Sequence, residues 1–446
     1  MLLKAQDYGL SGDRLDDRTA AQAGHQEVPW LAAAAISAAL FLSENYVPAD
    51  VIDGSSVDLQ VAKLQGNFIR ELAYPMVAMF GIVWLIRARG YRLEWRSPLV
   101  IAFGALLGWC TISIFWAQEP TIAFKRLIVY IMMIVGAAGA VALWPRVGLL
   151  QFISLSAAAH LTIGVLAEIA IGQFRPWVPD YRFAGTLHWN EQGFCCLILT
   201  LASLAAGDAD RRHRMLFRVL SGYGLIFLIL TKSRSSMLGL AGGLFLYIFL
   251  TWSVTSKALL LIGTASMTLL LYMTGVFDRL LAALTRNGEG AENLTGRAPM
   301  WDLALTYVRR RPIQGYGFQD FWTAANVDYF SQEFHWAISA AHNGYLEALL
   351  TLGIIGMTLH VSVLLCGIVR GGILYHEKRS PIFALAAAVC LIYLIVGTLE
   401  AVLVIAPSAY AFYVALLLFS LFTHKSQIGR NLLAFAPEPN TEYPHD

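Results

Sequence analysis

The sequence predicts an all-α protein that crosses a membrane many times, and two observations support this prediction. Hydrophobic residues make up 57% of the 446 residues and charged residues only 14%, against about 45–50% and about 25% in soluble domains. The apolar residues also occur in blocks of about 15–25 that charged clusters separate, which is the length a helix needs to cross a bilayer. We therefore expect a polytopic membrane protein with about 12 transmembrane helices.

Twelve apolar blocks fit transmembrane helices and divide the chain. They cover residues 29–43, 72–86, 98–116, 121–144, 147–171, 189–206, 216–231, 235–253, 258–274, 344–369, 381–399 and 402–423. This division predicts a tail at 1–28, nine spans within 29–274, a long polar loop at 275–343, three spans within 344–423 and a tail at 424–446. Residues 1–28 are polar and mixed in charge, so no cleavable signal peptide is expected.

The positions of the arginines predict the orientation. Three loops, after the second, sixth and tenth spans, are rich in basic residues, namely Arg87, Arg89, Arg92, Arg96, Arg211, Arg212, Arg214, Arg218, Arg370, Lys378 and Arg379. Short loops of this composition stay in the cytoplasm. Both termini are therefore expected in the cytoplasm, with the long loop at 275–343 on the opposite, outer side.

Several basic residues fall on the outer side in spite of this rule: Lys125, Arg126, Arg175, Arg182, Lys232, Arg234 and Arg297. Binding of an anion at the outer leaflet would explain them. For Arg234 the alternative is a charge that reaches the membrane interface, and for Arg182 it is a salt bridge within its loop. The net charge of +2 is too small to indicate a nucleic-acid partner.

His342 is the candidate catalytic residue. It precedes the apolar block 344–369, where the positive end of a helix dipole disfavours the protonated imidazole and keeps it available as a base. Asn343 could orient the imidazole ring or a substrate hydroxyl. A purely structural histidine at a helix start is the alternative.

Three basic stretches are candidates for binding phosphate. Lys232 and Arg234 lie in the serine-rich stretch 231–236 between two apolar blocks, and an arginine guanidinium matches phosphate oxygens with two parallel hydrogen bonds. Arg297 follows a glycine at the start of a predicted helix, where backbone amides and a guanidinium can approach one anion. Arg182 lies in the outer loop before the sixth span.

The long outer loop is predicted to contain an amphipathic helix. Residues 298–310 place Trp301, Leu305 and Val308 on one face, after a flexible start at 288–290 and before Pro312. Aromatic residues follow, among them Tyr316, Trp322 and Trp336. They could form an aromatic belt at the membrane interface or stack on sugars.

Motifs that the sequence lacks also narrow the function. The outer loops carry no Asp-X-Asp pair and no His/Cys cluster, and there is no nucleotide-binding phosphate loop, so neither a metal nor a cofactor is expected. The carboxylates within spans, Glu168, Glu347 and Glu400, lie near the predicted outer face, whereas a transporter would place polar groups near the midplane. The five cysteines lie in apolar blocks and are expected to be buried and unpaired.

Four stretches of the chain resemble the O-antigen ligase / O-antigen polymerase (Wzy-type) superfamily. They are Arg182-Phe-Ala-Gly-Thr with Asn190, Lys232-Ser-Arg-Ser-Ser, Thr295-Gly-Arg with Trp301 and Arg311-Pro-Ile-Gln-Gly-Tyr-Gly-Phe, and His342-Asn-Gly-Tyr-Leu-Glu before Leu352-Gly-Ile-Ile-Gly. The third stretch, followed by Phe321-Trp322, is most similar to exopolysaccharide polymerases.

The resemblance implies a GT-C-like helical fold and a glycosyltransferase of the bacterial inner membrane whose site faces the periplasm. The donor would be a glycan on undecaprenyl pyrophosphate, and the acceptor another glycan or lipid A–core. Arg234 and Arg297, with Arg182 and Lys232, would bind the pyrophosphate, and His342 would deprotonate the acceptor hydroxyl in a metal-independent inverting displacement. Asn343, Tyr316, Trp322 and Trp336 are the expected acceptor and sugar contacts, and a chain-length regulator is a possible partner.

Three alternatives to a polysaccharide polymerase remain from the sequence. An O-antigen ligase would use the same donor with lipid A–core as acceptor. A peptidoglycan polymerase would depend on an outer carboxylate, Asp302 or Asp320, more than on His342. A lipid-linked glycan flippase would be the alternative without catalysis.

Overall fold

The structure, a computed structural model, describes residues 28–44, 68–88, 93–274, 289–402 and 408–422. The tails predicted at 1–28 and 424–446 lie outside this part of the chain, apart from Val28. The helices, in chain order, are α1 (Trp30–Ser43), α2 (Phe68–Arg87), α3 (Pro98–Ile112), α4 (Pro120–Leu143), α5 (Arg146–Ala170), α6 (Trp189–Ala209), α7 (Arg214–Thr231), α8 (Arg234–Thr251), α9 (Val254–Met273), α10 (Glu289–Arg310), α11 (Ala324–Phe334), α12 (Gly344–Lys378), α13 (Pro381–Val396) and α14 (Ala409–Ser420).

The prediction of an all-α polytopic membrane protein is confirmed. Each of the twelve predicted spans overlaps one helix of the described chain. Helices α4 to α8 and α12, together with α3 and the 3₁₀ turn that extends it to Trp116, are long and apolar enough to cross a membrane, and shorter apolar helices accompany them. Hydropathy located the helices well because a bilayer imposes a minimum length on each apolar block.

Close backbone contact holds some of these helices together. A Cβ atom on Gly81 of α2 would lie 2.3 Å from the carbonyl oxygen of Val135 in α4. A Cβ atom on Gly139 of α4 would lie 2.3 Å from the carbonyl oxygen of Gly81. Small residues at such crossings let helices approach closely in a membrane, where packing replaces the hydrophobic effect as the cause of association.

The bundle has two ends, and the predicted functional residues lie at one of them, the site end. Helices α6, α8 and α12 begin there, whereas α7 and α13 end there. The other end of α6 is about 30 Å away, and it carries the ion pair of Arg218 with Asp208 at 2.5 Å and a contact of His213 Nδ1 with Asp210 at 2.8 Å. The arginine-rich loop at 211–218 therefore lies at the end opposite to His342.

Helix α12 is interrupted at Gly353, where the sequence had predicted a continuous span. Gly353 has φ 66° and ψ −168°, so the helical hydrogen bonds are broken there. The motif at 311–318 pairs with the freed backbone groups: the amides of Tyr316 and Gly317 donate to the carbonyls of Leu350 and Thr351 at 2.9 and 2.8 Å. These bonds satisfy polar groups that would be costly to leave unpaired in an apolar environment.

Two glycines make this pairing possible. A Cβ atom on Gly353 would lie 2.1 Å from the carbonyl oxygen of Ile313, and one on Gly315 would lie 2.6 Å from the carbonyl oxygen of Thr351. Both glycines also have positive φ angles, which side chains disfavour. The motif at 311–318 therefore braces the broken helix, a role that its resemblance to a known family did not indicate.

The outer segment forms a second, smaller core at the site end. Helix α10 begins at Glu289, so the flexible start expected at 288–290 is wrong for its last two residues, and a sequence rich in helix formers outweighs one glycine there. The buried face of α10 consists of Met300, Ala304 and Val308, whereas Leu305 is exposed. The predicted amphipathic helix is thus present, but the face that it buries starts at Met300 and continues four and eight residues later.

Candidate active site

His342 lies immediately before α12, and the residue after it fixes the start of that helix. Asn343 is the N-cap, and its side-chain oxygen accepts hydrogen bonds from the amides of Tyr345 and Leu346 at 3.0 and 3.1 Å. Such a cap satisfies amides that have no partner within the helix. The Asn343 side-chain oxygen is therefore engaged in capping, beside the site that it was predicted to line.

The segment after α13 packs against His342 and Arg297. The amide of Gly344 donates to the carbonyl of Gly397 at 2.7 Å. Arg297 donates from Nη1 to the carbonyl of Leu399 at 2.9 Å. These contacts place residues 397–400 between the start of α12 and the side chain of Arg297, although hydropathy alone had assigned most of this segment to a transmembrane span.

Glu400 connects the groups of the site. Its Oε1 accepts a hydrogen bond from Asn190 Nδ2 at 2.9 Å and lies 3.9 Å from Nη2 of Arg297. Its Oε2 lies 3.6 Å from Nδ1 of His342. Arg297 and His342 both remain partly exposed, so a ligand could reach the predicted base and a predicted phosphate-binding arginine together.

The sequence had not identified Glu400 as part of the site. Its one signal was a carboxylate near the end of an apolar block, and that signal was interpreted only as evidence against a transporter. Its partner Asn190 is 210 residues away along the chain, so no local pattern could have joined them.

Arg182 lies against the first turn of α6. Its guanidinium carbon is 4.4 Å from the centroid of the Trp189 ring, and its Nε donates to the carbonyl of Thr231 at 3.2 Å. Trp189 is followed by Asn190, the partner of Glu400. Arg182 is thus connected to the cluster through α6, to whose first residue it makes a cation–π contact.

The loop from 231 to 236 brings Arg234 and Lys232 to the same side of α6. A Cβ atom on Gly193 of α6 would lie 2.8 Å from Cβ of Ser233, so this loop and α6 are in close contact. Arg234 is exposed and is the first residue of α8. Lys232 has a left-handed backbone with φ 53°, and its Nζ donates to the carbonyl of Pro179.

The serine hydroxyls of this stretch face inward. Ser233, Ser235 and Ser236 are buried. The hydroxyl of Ser233 lies 3.0 Å from that of Ser236 and 3.3 Å from that of Ser235. Close packing against α6 excludes them from the surface, so Arg234 is the side chain of this stretch that is most open to a ligand.

Two of the predicted sugar contacts are buried, and the structure corrects their assignment. Tyr316 is 8% exposed and Trp322 is 5% exposed, and both pack against Phe321 in the second core. Neither ring is exposed enough to stack on a sugar, and the guanidinium of Arg311 lies over the Tyr316 ring. Trp336 is different, since it is 40% exposed and its ring centroid lies 5.8 Å from that of His342.

The carboxylates that a peptidoglycan polymerase would need are placed elsewhere. Asp320 is buried, and its Oδ2 accepts a hydrogen bond from the amide of Glu119 at 2.9 Å. Burial raises the pKa of the Asp320 carboxyl above its usual range, although the bonded amide opposes this shift. Asp302 is exposed on α10. Asp320 therefore holds the loop before α4 in place.

The electrostatics of the site end favour an anion. Helices α6, α8 and α12 present their N-termini there, and a helix N-terminus carries about half a positive charge. Arg182, Arg234 and Arg297 lie beside these N-termini. Glu400, together with Glu191 in the first turn of α6 and Glu347 in the first turn of α12, offsets part of this positive charge.

This fold defines a polytopic membrane protein, and two comparisons show that part of the chain is similar to proteins of the O-antigen ligase and polymerase type. Residues 219–361 match the family model described as O-antigen ligase. The chain is also similar to the exopolysaccharide production protein ExoQ of Rhizobium meliloti, with 25% identity over 274 residues. The match covers 57% of this chain and 61% of that relative, and it confirms the resemblance expected from the sequence.

The matched segment contains part of the site. Residues 219–361 include Arg234, Arg297 and His342, whereas Arg182 and Glu400 lie outside the match. Two residues of the candidate site therefore come from parts of the chain before and after the segment that the family model matches.

Proposed function

We propose that this protein is a membrane glycosyltransferase that moves a glycan from undecaprenyl pyrophosphate to an acceptor hydroxyl on the periplasmic face of the inner membrane. One observation carries the proposal: Glu400 joins His342, Arg297 and Asn190 at the end of the bundle where α6, α8 and α12 begin. A base and an anion-binding group within reach of one carboxylate suit the transfer of a glycan away from a pyrophosphate.

His342 acts as the general base in this proposal. Its Nδ1 faces Glu400 at 3.6 Å, a contact that favours the tautomer with the proton on Nδ1 and stabilises the imidazolium when it forms. The other ring nitrogen, Nε2, takes the proton of the acceptor hydroxyl. The acceptor oxygen forms a bond to the anomeric carbon as the bond from that carbon to the pyrophosphate oxygen breaks, with inversion.

The arginines stabilise the leaving group. The electron pair of the broken bond stays on undecaprenyl pyrophosphate, and Arg297, Arg234 and Arg182, assisted by Lys232, neutralise the charge that develops. A positioned general base contributes about 10²–10⁴-fold to a rate. Electrostatic stabilisation by preorganised groups contributes at least about as much, so both parts of the cluster are needed for turnover.

The decisive experiment uses purified protein and one defined undecaprenyl-pyrophosphate glycan. We expect a ladder of longer lipid-linked glycans, and we expect the His342→Ala variant to insert into the membrane but to turn over about 10²–10⁴-fold more slowly. Near-normal turnover by that variant would contradict the assignment of the base. Absence of transfer by the unaltered protein to any acceptor would contradict the function.

Polymerase is the preferred activity, with ligase as the second candidate. The relative's name refers to exopolysaccharide production, whereas the family model is described as O-antigen ligase. Adding lipid A–core to the same reaction separates the two activities. A ladder without the core indicates a polymerase, and a product that appears only with the core indicates a ligase.

A further inference from the structure

The residue that precedes His342, Ala341, is hydrogen-bonded through its backbone to two side chains. The amide of Ala341 donates to Oε2 of Glu347 at 3.0 Å. The carbonyl of Ala341 accepts from Nε1 of Trp301 at 2.8 Å. Both backbone polar groups of Ala341 are therefore fixed, one by α12 and the other by α10.

Glu347 is itself fixed by a second tryptophan. The indole N–H of Trp322 is shared between Oε1 and Oε2 of Glu347, at 2.8 and 3.0 Å. Glu347 and Trp322 are both buried. A buried carboxylate is costly unless it is hydrogen-bonded, so these donors account for its presence there.

His342 has a backbone conformation that needs such support. Its φ is 48°, in the left-handed region, where the Cβ atom comes too close to the following carbonyl oxygen. Strained conformations persist where the surrounding structure determines them, and they occur often at functional sites. On the other side of His342, Asn343 is fixed as the cap of α12.

From these contacts we propose that Glu347 is a positioning residue for His342. Through the amide of Ala341, its carboxylate holds the left-handed turn that directs the imidazole towards Glu400. Glu347 does not contact the reacting groups. The catalytic consequence of this role rests on the proposed function, whereas the bracing of the turn can be measured without it.

The first test is the Glu347→Gln variant. In Glu347→Gln an amide nitrogen replaces one of the two acceptor oxygens. In either orientation its hydrogens meet the Trp322 indole N–H, which faces both oxygens, and in one orientation they also meet the Ala341 amide, so the brace is weakened. We expect kcat to fall about 10–100-fold, because small displacements of a catalytic group have effects of this size. The KM for the lipid-linked donor should change less than about twofold, since the arginines are untouched.

Hydrogen–deuterium exchange tests the brace independently of activity. In Glu347→Gln, peptides that cover 338–346 should exchange faster than in the unaltered protein, while peptides from α6 should not change. Glu333→Gln, at an exposed glutamate on α11, is the matched control and should alter neither exchange nor kcat. Unchanged exchange at 338–346 in Glu347→Gln would overturn the proposal.

A double-mutant cycle tests whether Glu347 acts through His342. If it does, Glu347→Gln should not reduce the residual activity of His342→Ala any further, because groups that act as a unit are non-additive. A further loss by the same factor in both backgrounds would overturn the proposal.

If Glu347→Gln does not fold, Trp322→Phe is the substitute variant. It removes the indole donor to Glu347 and keeps the bond from the Ala341 amide. It should therefore lower kcat less than Glu347→Gln does, and its effect should be non-additive with His342→Ala in the same way.

The two proposals fail in different ways. If the unaltered protein transfers no glycan but residues 338–346 still exchange faster in Glu347→Gln, the proposed function is wrong and the structural role of Glu347 is supported. If transfer is normal in Glu347→Gln, the positioning role is wrong and the function stands.

Discussion

Glu400 is the side chain that lies between Arg297 and His342. Replacing it with glutamine keeps the shape and an oxygen for Asn190 but removes the charge that faces His342 and Arg297. We expect Glu400→Gln to lower kcat about 10–100-fold, because the imidazolium formed during transfer loses its counter-charge. Initial rates with the defined lipid-linked donor measure this effect.

The matched control for Glu400 is Asp302→Asn, at an exposed carboxylate of the outer segment. It should leave kcat unchanged. If Asp302→Asn abolished transfer while Glu400→Gln did not, the carboxylate chemistry of a peptidoglycan polymerase would become the better explanation.

Arg297 makes two contacts that a lysine cannot reproduce together. Nη1 reaches the carbonyl of Leu399 at 2.9 Å while Nη2 faces Glu400 at 3.9 Å. We expect Arg297→Lys to raise the KM for the donor about tenfold and to lower kcat as well, because an ammonium is a point charge without the planar fork of guanidinium. If donor titrations showed unaltered kinetics, a pyrophosphate contact at this position would be untenable.

At the scale of elements, the break in α12 carries the clearest consequence for stability. A methyl group on Gly353 would lie 2.1 Å from a backbone oxygen of residue 313, and the φ of 66° disfavours any side chain. We expect Gly353→Ala to lower the free energy of unfolding by more than about 2 kcal/mol, since neither strain can relax cheaply. Thermal unfolding in detergent measures the loss.

Gly372, in the same helix, provides the control for Gly353. A Cβ atom there would meet its nearest neighbour at 3.7 Å, an ordinary contact. Gly372→Ala should therefore keep or slightly raise the melting temperature, because alanine favours a helix over glycine by up to about 1 kcal/mol. Equal effects of the two substitutions would show that the break at Gly353 does not carry strain.

At the scale of the whole molecule, the arrangement of charges leads to a proposal for the orientation in the membrane. The site end should face the periplasm and the end with the loop 211–218 the cytoplasm, because short arginine-rich loops are retained inside. We expect a cysteine placed by Glu333→Cys to react with a membrane-impermeant maleimide in intact cells, and one placed by Arg212→Cys to react only after permeabilisation. Both positions are exposed.

The native cysteines supply the background for that labelling experiment. All five are free thiols, and Cys110, Cys196 and Cys390 are buried, so the unaltered protein should label weakly. The opposite labelling pattern would place the site on the cytoplasmic side and exclude a periplasmic transferase.

Much of this molecule was predictable because the relevant signals are local. An apolar block long enough to cross a bilayer is a property of about 20 consecutive residues, and His342 could be assigned to a helix start from its immediate neighbours. The burial of Trp322 and Tyr316 was not predictable in this way. Their aromatic composition fits a sugar platform and a core equally well, and only the packing of Phe321 against them decides between the two.

By itself, the sequence determined that this is an all-α membrane protein and where its helices lie, and its resemblance to a known family predicted a histidine and several arginines as site residues. Tertiary structure alone decided that α12 breaks at Gly353, that the motif at 311–318 fills the break, and that Glu400 joins His342 and Arg297. The physical reason is distance along the chain. Hydropathy and capping act between near neighbours, whereas the hydrogen bond between Asn190 and Glu400 spans 210 residues and exists only once the helices have packed.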